Sequence, residues 1–262
     1  MSQMERRDEP AEPRRDEPVK PHRDTVLVTA AHGPLPGLLL SLTVVTGAVD
    51  AVSILRLGRV FVANMTGNVV FAGFAAVGAP GFALGPSLVA LAGFLVGAAV
   101  GGWLAIHRGD DRSVLLLVTV IVESSLAAVA LAIAALGPGT AAAGERYSLS
   151  VVLALTMGIQ NAVARRLAVP DMTTTVLTMT LTGIAADIRG HGWRQPALPR
   201  RFLAVAAMFA GAVAGAKLVL DRSATAALLL VTVILLIVTV GAATATARDH
   251  GDWRRSGGPT ER

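Results

Sequence analysis

The chain has 262 residues, 53% of them hydrophobic and 16% charged, with a mean hydropathy of +0.61 and a formal net charge of +5. Two charge-free runs, 86–106 and 224–247, match the roughly 20 apolar residues that a bilayer core demands of a helix, which excludes a soluble domain. The positive charge lies in short loops and tails, as topology-setting Lys and Arg do, so no nucleic-acid partner is expected. The absence of cysteine excludes disulfides, thiolate metal sites and cysteine nucleophiles.

Residues 1–34 read as a disordered polar tail. Arg6-Arg7-Asp8-Glu9-Pro10 recurs as Arg14-Arg15-Asp16-Glu17-Pro18, and almost nothing before Val26 is apolar enough to offset the entropy of ordering. No cleavable signal peptide is expected, because the apolar run begins only near Leu35. A membrane domain follows over 35–247, with apolar blocks near 35–55, 60–79, 86–106, 114–136, 147–168, 172–187, 202–220 and 224–247. Residues 248–262 form a polar C-terminal tail. The fold class is therefore all-α: a polytopic helical membrane protein.

The blocks repeat. Gly47-Ala48-Val49-Asp50-Ala51 lines up with Gly158-Ile159-Gln160-Asn161-Ala162, and each is followed by paired arginines. A short polar segment comes next, Asn64-Met65-Thr66-Gly67-Asn68 against Thr175-Val176-Leu177-Thr178-Met179-Thr180. Phe94 to Gly101 then pairs with Met208 to Gly215, each holding Gly-x-x-x-Gly, a spacing that lets two backbones approach closely. Four features in one order predict a two-fold internal repeat with halves near 35–136 and 147–247.

Charge decides between eight spans and six. Eight spans divide Lys and Arg 15 to 8 across the membrane; six, with 60–79 and 172–187 broken or re-entrant, divide them 18 to 5. The positive-inside rule favours six spans, both termini cytoplasmic and the halves inverted. That count treats Arg56 and Arg59 as topology residues. The threonines at 173, 174, 175, 178, 180 and 182 suit a segment lining a cavity.

Asp50 is the leading candidate site residue. A charge near mid-bilayer costs about 2.5–3.5 kcal/mol on insertion scales, so it is expected to bind solute or carry a proton, or to pair with Arg56 as a helix lock. Asn64, Thr66 and Asn68 offer amides and a hydroxyl, and Gly67 permits a helix break that exposes backbone groups to a ligand; interhelical bonding is the structural alternative. Gln160, Asn161 and Thr178 are the matching set in the second half. Glu123, flanked by Ser124 and Ser125, is a possible second acid. All five histidines fall in tails or loops, and no metalloprotease, nucleophile-elbow or phosphate-loop motif occurs, so no enzyme activity and no cofactor or metal are expected.

The run Gly47-Ala48-Val49-Asp50-Ala51-Val52-Ser53-Ile54-Leu55-Arg56-Leu57-Gly58, continued by Phe61-Val62-Ala63-Asn64-Met65-Thr66-Gly67-Asn68, resembles the YoaK-type family of small bacterial membrane proteins. The resemblance spans roughly 36–247 and includes Gly158 to Leu167. Thr178-Met179-Thr180 departs from it, standing where relatives tend to repeat Thr-Gly. The family is a domain of unknown function often labelled a permease; it implies a fold and a bacterial cytoplasmic membrane and names no substrate. The expected function is a secondary permease for a small solute, proton- or ion-coupled. The alternative is a membrane scaffold or regulator that transports nothing. Expected partners are the lipid bilayer and that solute; oligomeric state is not legible.

Overall fold

The computed structural model describes residues 33–137, 142–167, 177–191 and 198–248. The described residues form eight helices: α1 (Leu35–Arg56), α2 (Met65–Ala76), α3 (Leu84–Arg108), α4 (Arg112–Leu136), α5 (Ala143–Leu167), α6 (Leu177–His191), α7 (Leu198–Asp221) and α8 (Ala224–Arg248). Thr173, Thr174 and Thr175 lie outside the described residues, as do 1–32 and 249–262 of the two tails.

Six of the helices are long and apolar enough to cross a membrane. At 1.5 Å per residue, the 22 residues of α1 already reach about 33 Å, against a hydrocarbon core of about 30 Å. The 12 residues of α2 reach only about 18 Å, so α2 cannot cross.

Local chemistry fixes the helix ends. Pro36 opens α1 at a position where a missing N–H costs nothing. Asp111 caps α4, accepting from the N–H groups of Ser113 at 2.9 Å and Val114 at 3.1 Å. The chain leaves α1 through Gly58 and Arg59, both left-handed, at φ +98° and +57°. Arg59 is the one non-glycine residue with positive φ among those described.

Residues 57–76 fold back on themselves. Val60, Val62 and Ala63 are buried, the Val62 and Ala63 backbones reach Asp50 inside α1, and α2 then climbs back to where the loop began. There Gly81 meets Arg59, and Gly58 meets Pro86. Phenylalanines clamp this re-entrant hairpin: Phe61 stacks on Phe71 with centroids 5.7 Å apart, and Phe82 sits 5.1 Å from Phe71 and 5.2 Å from Phe74.

The long helices pair across the two halves of the chain. α1 packs on α7 and α5 on α3; α1 also touches α8, and α5 touches α4. α2 lies on α3 and α6 on α7, while α4 packs on α8 and α1 on α5. Adding four to every helix number, counted around the eight, returns the same set of pairs. The closest approaches match in atomic detail. A Cβ on Gly47 would meet the carbonyl oxygen of Met208 and come within 2.8 Å of the Ala212 nitrogen; one on Gly158 would meet that of Phe94 and come within 2.8 Å of the Ala98 nitrogen. Both Gly-x-x-x-Gly motifs serve these pairs, Gly97 and Gly101 against Leu155 and Ile159, Gly211 and Gly215 against Val44 and Ala48.

Contacts also set direction. Val44 and Ala48 meet Gly211 and Gly215 in ascending order, so α1 and α7 run parallel, as do α3 and α5. α4 runs antiparallel to α5, since Arg112 Nη2 donates to the Leu167 carbonyl while Gly137 meets Glu145. It is antiparallel to α8 as well, through Thr225 with Ala134 and Thr246 with Ser113. Leu38 lies by Gly241, which makes α1 antiparallel to α8. Hence α1, α3 and α4 run up, down, up, where α5, α7 and α8 run down, up, down. The centre belongs to α1 and α5, each 61% buried over its most apolar window, against 22–44% for the other four long helices. Sheltered from lipid by protein, these two can carry polar residues that an outer helix could not.

Candidate functional site

Where α1, α2, α3, α5, α6 and α7 meet, a cavity of about 470 Å³ opens. Its polar lining is Asp50, Asn64, Thr66, Asn161 and Thr178, five residues drawn from both halves of the chain. The apolar walls include Phe61, Phe94, Leu177 and Met208.

Asp50 enters from α1, nearly two turns before its C-terminal end. The backbone amides of Ala63 and Val62, on the re-entrant loop, engage its carboxyl group. Its Oδ1 is buried and accepts no hydrogen bond. A carboxylate oxygen held this way in a membrane interior is a costly arrangement unless something else meets it. Arg56 is not that partner. It donates from Nη2 to the Val219 carbonyl at 2.9 Å, tying α1 to α7. The physical reason is its position at the last turn of α1, where the side chain reaches the end of the parallel neighbour and not back down its own helix.

Asn64 is the N-cap residue of α2, in extended conformation at φ −117° and ψ 92°, and makes no capping bond. Its exposed amide and the Thr66 hydroxyl border the cavity at the positive end of the α2 dipole. Asn68 and Gly67 do not line it. Asn68 is buried and accepts from the Phe61 N–H at 2.9 Å while donating to the Phe61 carbonyl at 2.5 Å, so both ends of its amide hold the loop in place. A Cβ on Gly67 would strike the Phe61 ring at 2.5 Å, so this glycine makes room for the aromatic clamp.

Across the cavity, Asn161 donates to the Met157 carbonyl at 2.9 Å, and Thr178 lies in the first described turn of α6. Gln160, its neighbour in sequence, points elsewhere, donating to Thr46 Oγ1 at 2.9 Å between the two central helices. Glu123 is wholly buried on α4, away from this lining, and neither of its oxygens has a hydrogen-bond partner among the described residues. The neighbouring hydroxyls do not solvate it, because Ser124 bonds to Thr239 at 3.0 Å and Ser125 returns to the Ile121 carbonyl at 2.9 Å. Sequence reasoning did not assign Phe94 and Met208 to the site, although each stands three residues before the first glycine of a Gly-x-x-x-Gly motif, Gly97 and Gly211.

Residues 38–241 match the family described as "Protein of unknown function (DUF1275)". The chain belongs to this family. It is also 35% identical over 154 residues to the "UPF0700 transmembrane protein YoaK" of Bacillus subtilis (strain 168), an alignment that covers 58% of this chain and 67% of that protein. No solved structure matches it. The matched region runs from α1 into α8 and so contains every residue of the cavity, and the membrane setting indicated by six long apolar helices agrees with the transmembrane relative.

Proposed function

We propose that this membrane protein is a secondary permease for a small solute, coupled to a proton or ion gradient through Asp50. One observation carries the reading: polar side chains from both halves of the chain converge on a central cavity, with a carboxyl oxygen there that the protein itself leaves unpartnered. Buried polar groups are usually satisfied within the protein, and a ligand, ion or proton would satisfy this one.

The matching helix pairs and opposed directions support an inverted duplication, with α1, α2, α3 and α4 answered by α5, α6, α7 and α8. In such a fold a site between the halves is reached from either side as one half rocks against the other. A broken element ending in an N-terminus at the site, as α2 does beside Asp50, belongs to the same design. We place the protein in the bacterial cytoplasmic membrane with both termini cytoplasmic, the side the arginine-rich connections favour.

A scaffold or regulator that moves nothing is the second reading, favoured by Asn68 and Gln160, whose bonds serve packing. Accessibility separates the two. The chain has no cysteine of its own, so single cysteines at positions 64, 66 and 178 can be probed in membranes with an impermeant maleimide. Labelling of all three, each blocked by prior reaction from one face or the other, is the expected result; uniform protection would sink the permease reading.

A further inference from the structure

A second pocket, of about 420 Å³, lies at the membrane end where α1 finishes and α3 and α5 begin. Arg59, Arg146, Tyr147 and Ser150 line it together with the turns at Gly58 and Gly81. Among the described residues no carboxylate lines it. Among those residues neither Arg59 nor Arg146 has an ion-pair partner, and the neighbouring Glu145 lies against Gly137, outside the lining. Arg59 is held by its left-handed backbone so that its guanidinium lies over the α2–α3 turn; a Cβ on Gly81 would come within 3.2 Å of its Nη1. Tyr147 reaches from α5 to the start of α3, where a Cβ on Gly85 would approach its hydroxyl at 2.7 Å.

Two helix beginnings border the same space. Ala83, the N-cap of α3, brings no side chain to cap the helix, and Ala143 opens α5. Each adds a partial positive charge and backbone donors to the two guanidiniums. Two guanidiniums and two helix N-termini thus outweigh the single helix C-terminus at Leu57, in a concave space with room for a phosphoryl group and its substituent.

We propose that this pocket binds a phosphoryl oxyanion, held by Arg59 and Arg146 with the Tyr147 hydroxyl as a further donor. The same chemistry could come from the headgroup of an anionic lipid or from a free phosphate. The inference stands apart from the permease reading, since none of the pocket's residues lines the Asp50 cavity.

The test is thermal unfolding of the full chain in a zwitterionic detergent. One arm titrates sodium phosphate against sodium chloride of equal ionic strength; the other titrates phosphatidylglycerol against phosphatidylcholine in mixed micelles. The native chain is expected to gain thermal stability in at least one arm. In Arg59→Gln/Arg146→Gln the midpoint of that response should move up at least about tenfold, as fits the loss of two charge-assisted donors. Arg165→Gln/Arg166→Gln, at the other end of α5, should leave it unchanged. A response to phosphatidylglycerol alone assigns the lipid headgroup, and a response to phosphate assigns the free anion. Absence of any response, or an equal response in the first variant, overturns the proposal. Should the double variant not fold, each single Arg→Gln change must weaken the response by itself, or the proposal fails.

Discussion

At the scale of single residues, polar groups inside this membrane domain divide into those whose bonding is complete and those left open. Asn68 is complete: its amide closes a ring with both backbone groups of Phe61. Asn68→Ala would leave that N–H and carbonyl half-buried and unpaired, costing about 1 kcal/mol or more for such a loss. Thermal unfolding in detergent should show it as a lowered melting temperature. Asp50 is open at Oδ1. Asp50→Asn keeps an oxygen for the Val62 and Ala63 amides, so the fold should survive while the ionisable group is gone. In proteoliposomes screened with a panel of small solutes, gradient-dependent uptake by the native chain should fall to the level of empty vesicles in this variant. Full uptake by Asp50→Asn would end the coupling role.

Elements are held by what their neighbours lack. Gly47 and Gly158 each admit a carbonyl of the parallel helix into the space a side chain would fill, and Gly97 and Gly211 answer from the other side. The contacts are backbone to backbone, so no side chain can swing aside to relieve a substitution. Gly158→Leu should therefore force α5 away from α3, at an overpacking cost of about 1–3 kcal/mol or more. A lower melting temperature and loss of monodisperse protein on size exclusion are the expected readings; an unchanged melting temperature would show that the pair is not close-packed in the membrane. The short α2 follows another rule. Its 12 residues cannot span, and it is kept inside the domain by the phenylalanine clamp and by Asn68 and not by its length.

For the whole molecule, most of the architecture could be read before any coordinates. The blocks of the sequence fall within a few residues of the helices, 86–106 against Leu84–Arg108 and 224–247 against Ala224–Arg248. This follows because bilayer thickness imposes a length and a composition on each span separately. The count of six follows from a charge asymmetry of 18 to 5, a property of loops alone. The residue types of the cavity were legible too, since a polar group in an apolar run stands out at any position: Asp50, Asn64, Thr66, Asn161 and Thr178 all line it. Which polar residues face the cavity, and which serve packing, was not. Gln160 sits beside Asn161 and is spent on the fold, because a helix turns neighbours about 100° apart and only the surrounding helices decide which direction is cavity; Asn68 is spent likewise while Asn64, extended ahead of α2, is not. Nor could the order of residues show that Arg59 and Arg146, 87 positions apart, share one pocket. The sequence by itself determined a helical membrane domain, its spans and its polar inventory, since those depend on each segment meeting lipid or water. Only the tertiary structure decided the pairing of helices, the burial of each polar atom and the two cavities, since those depend on which backbones come close enough to exclude everything else.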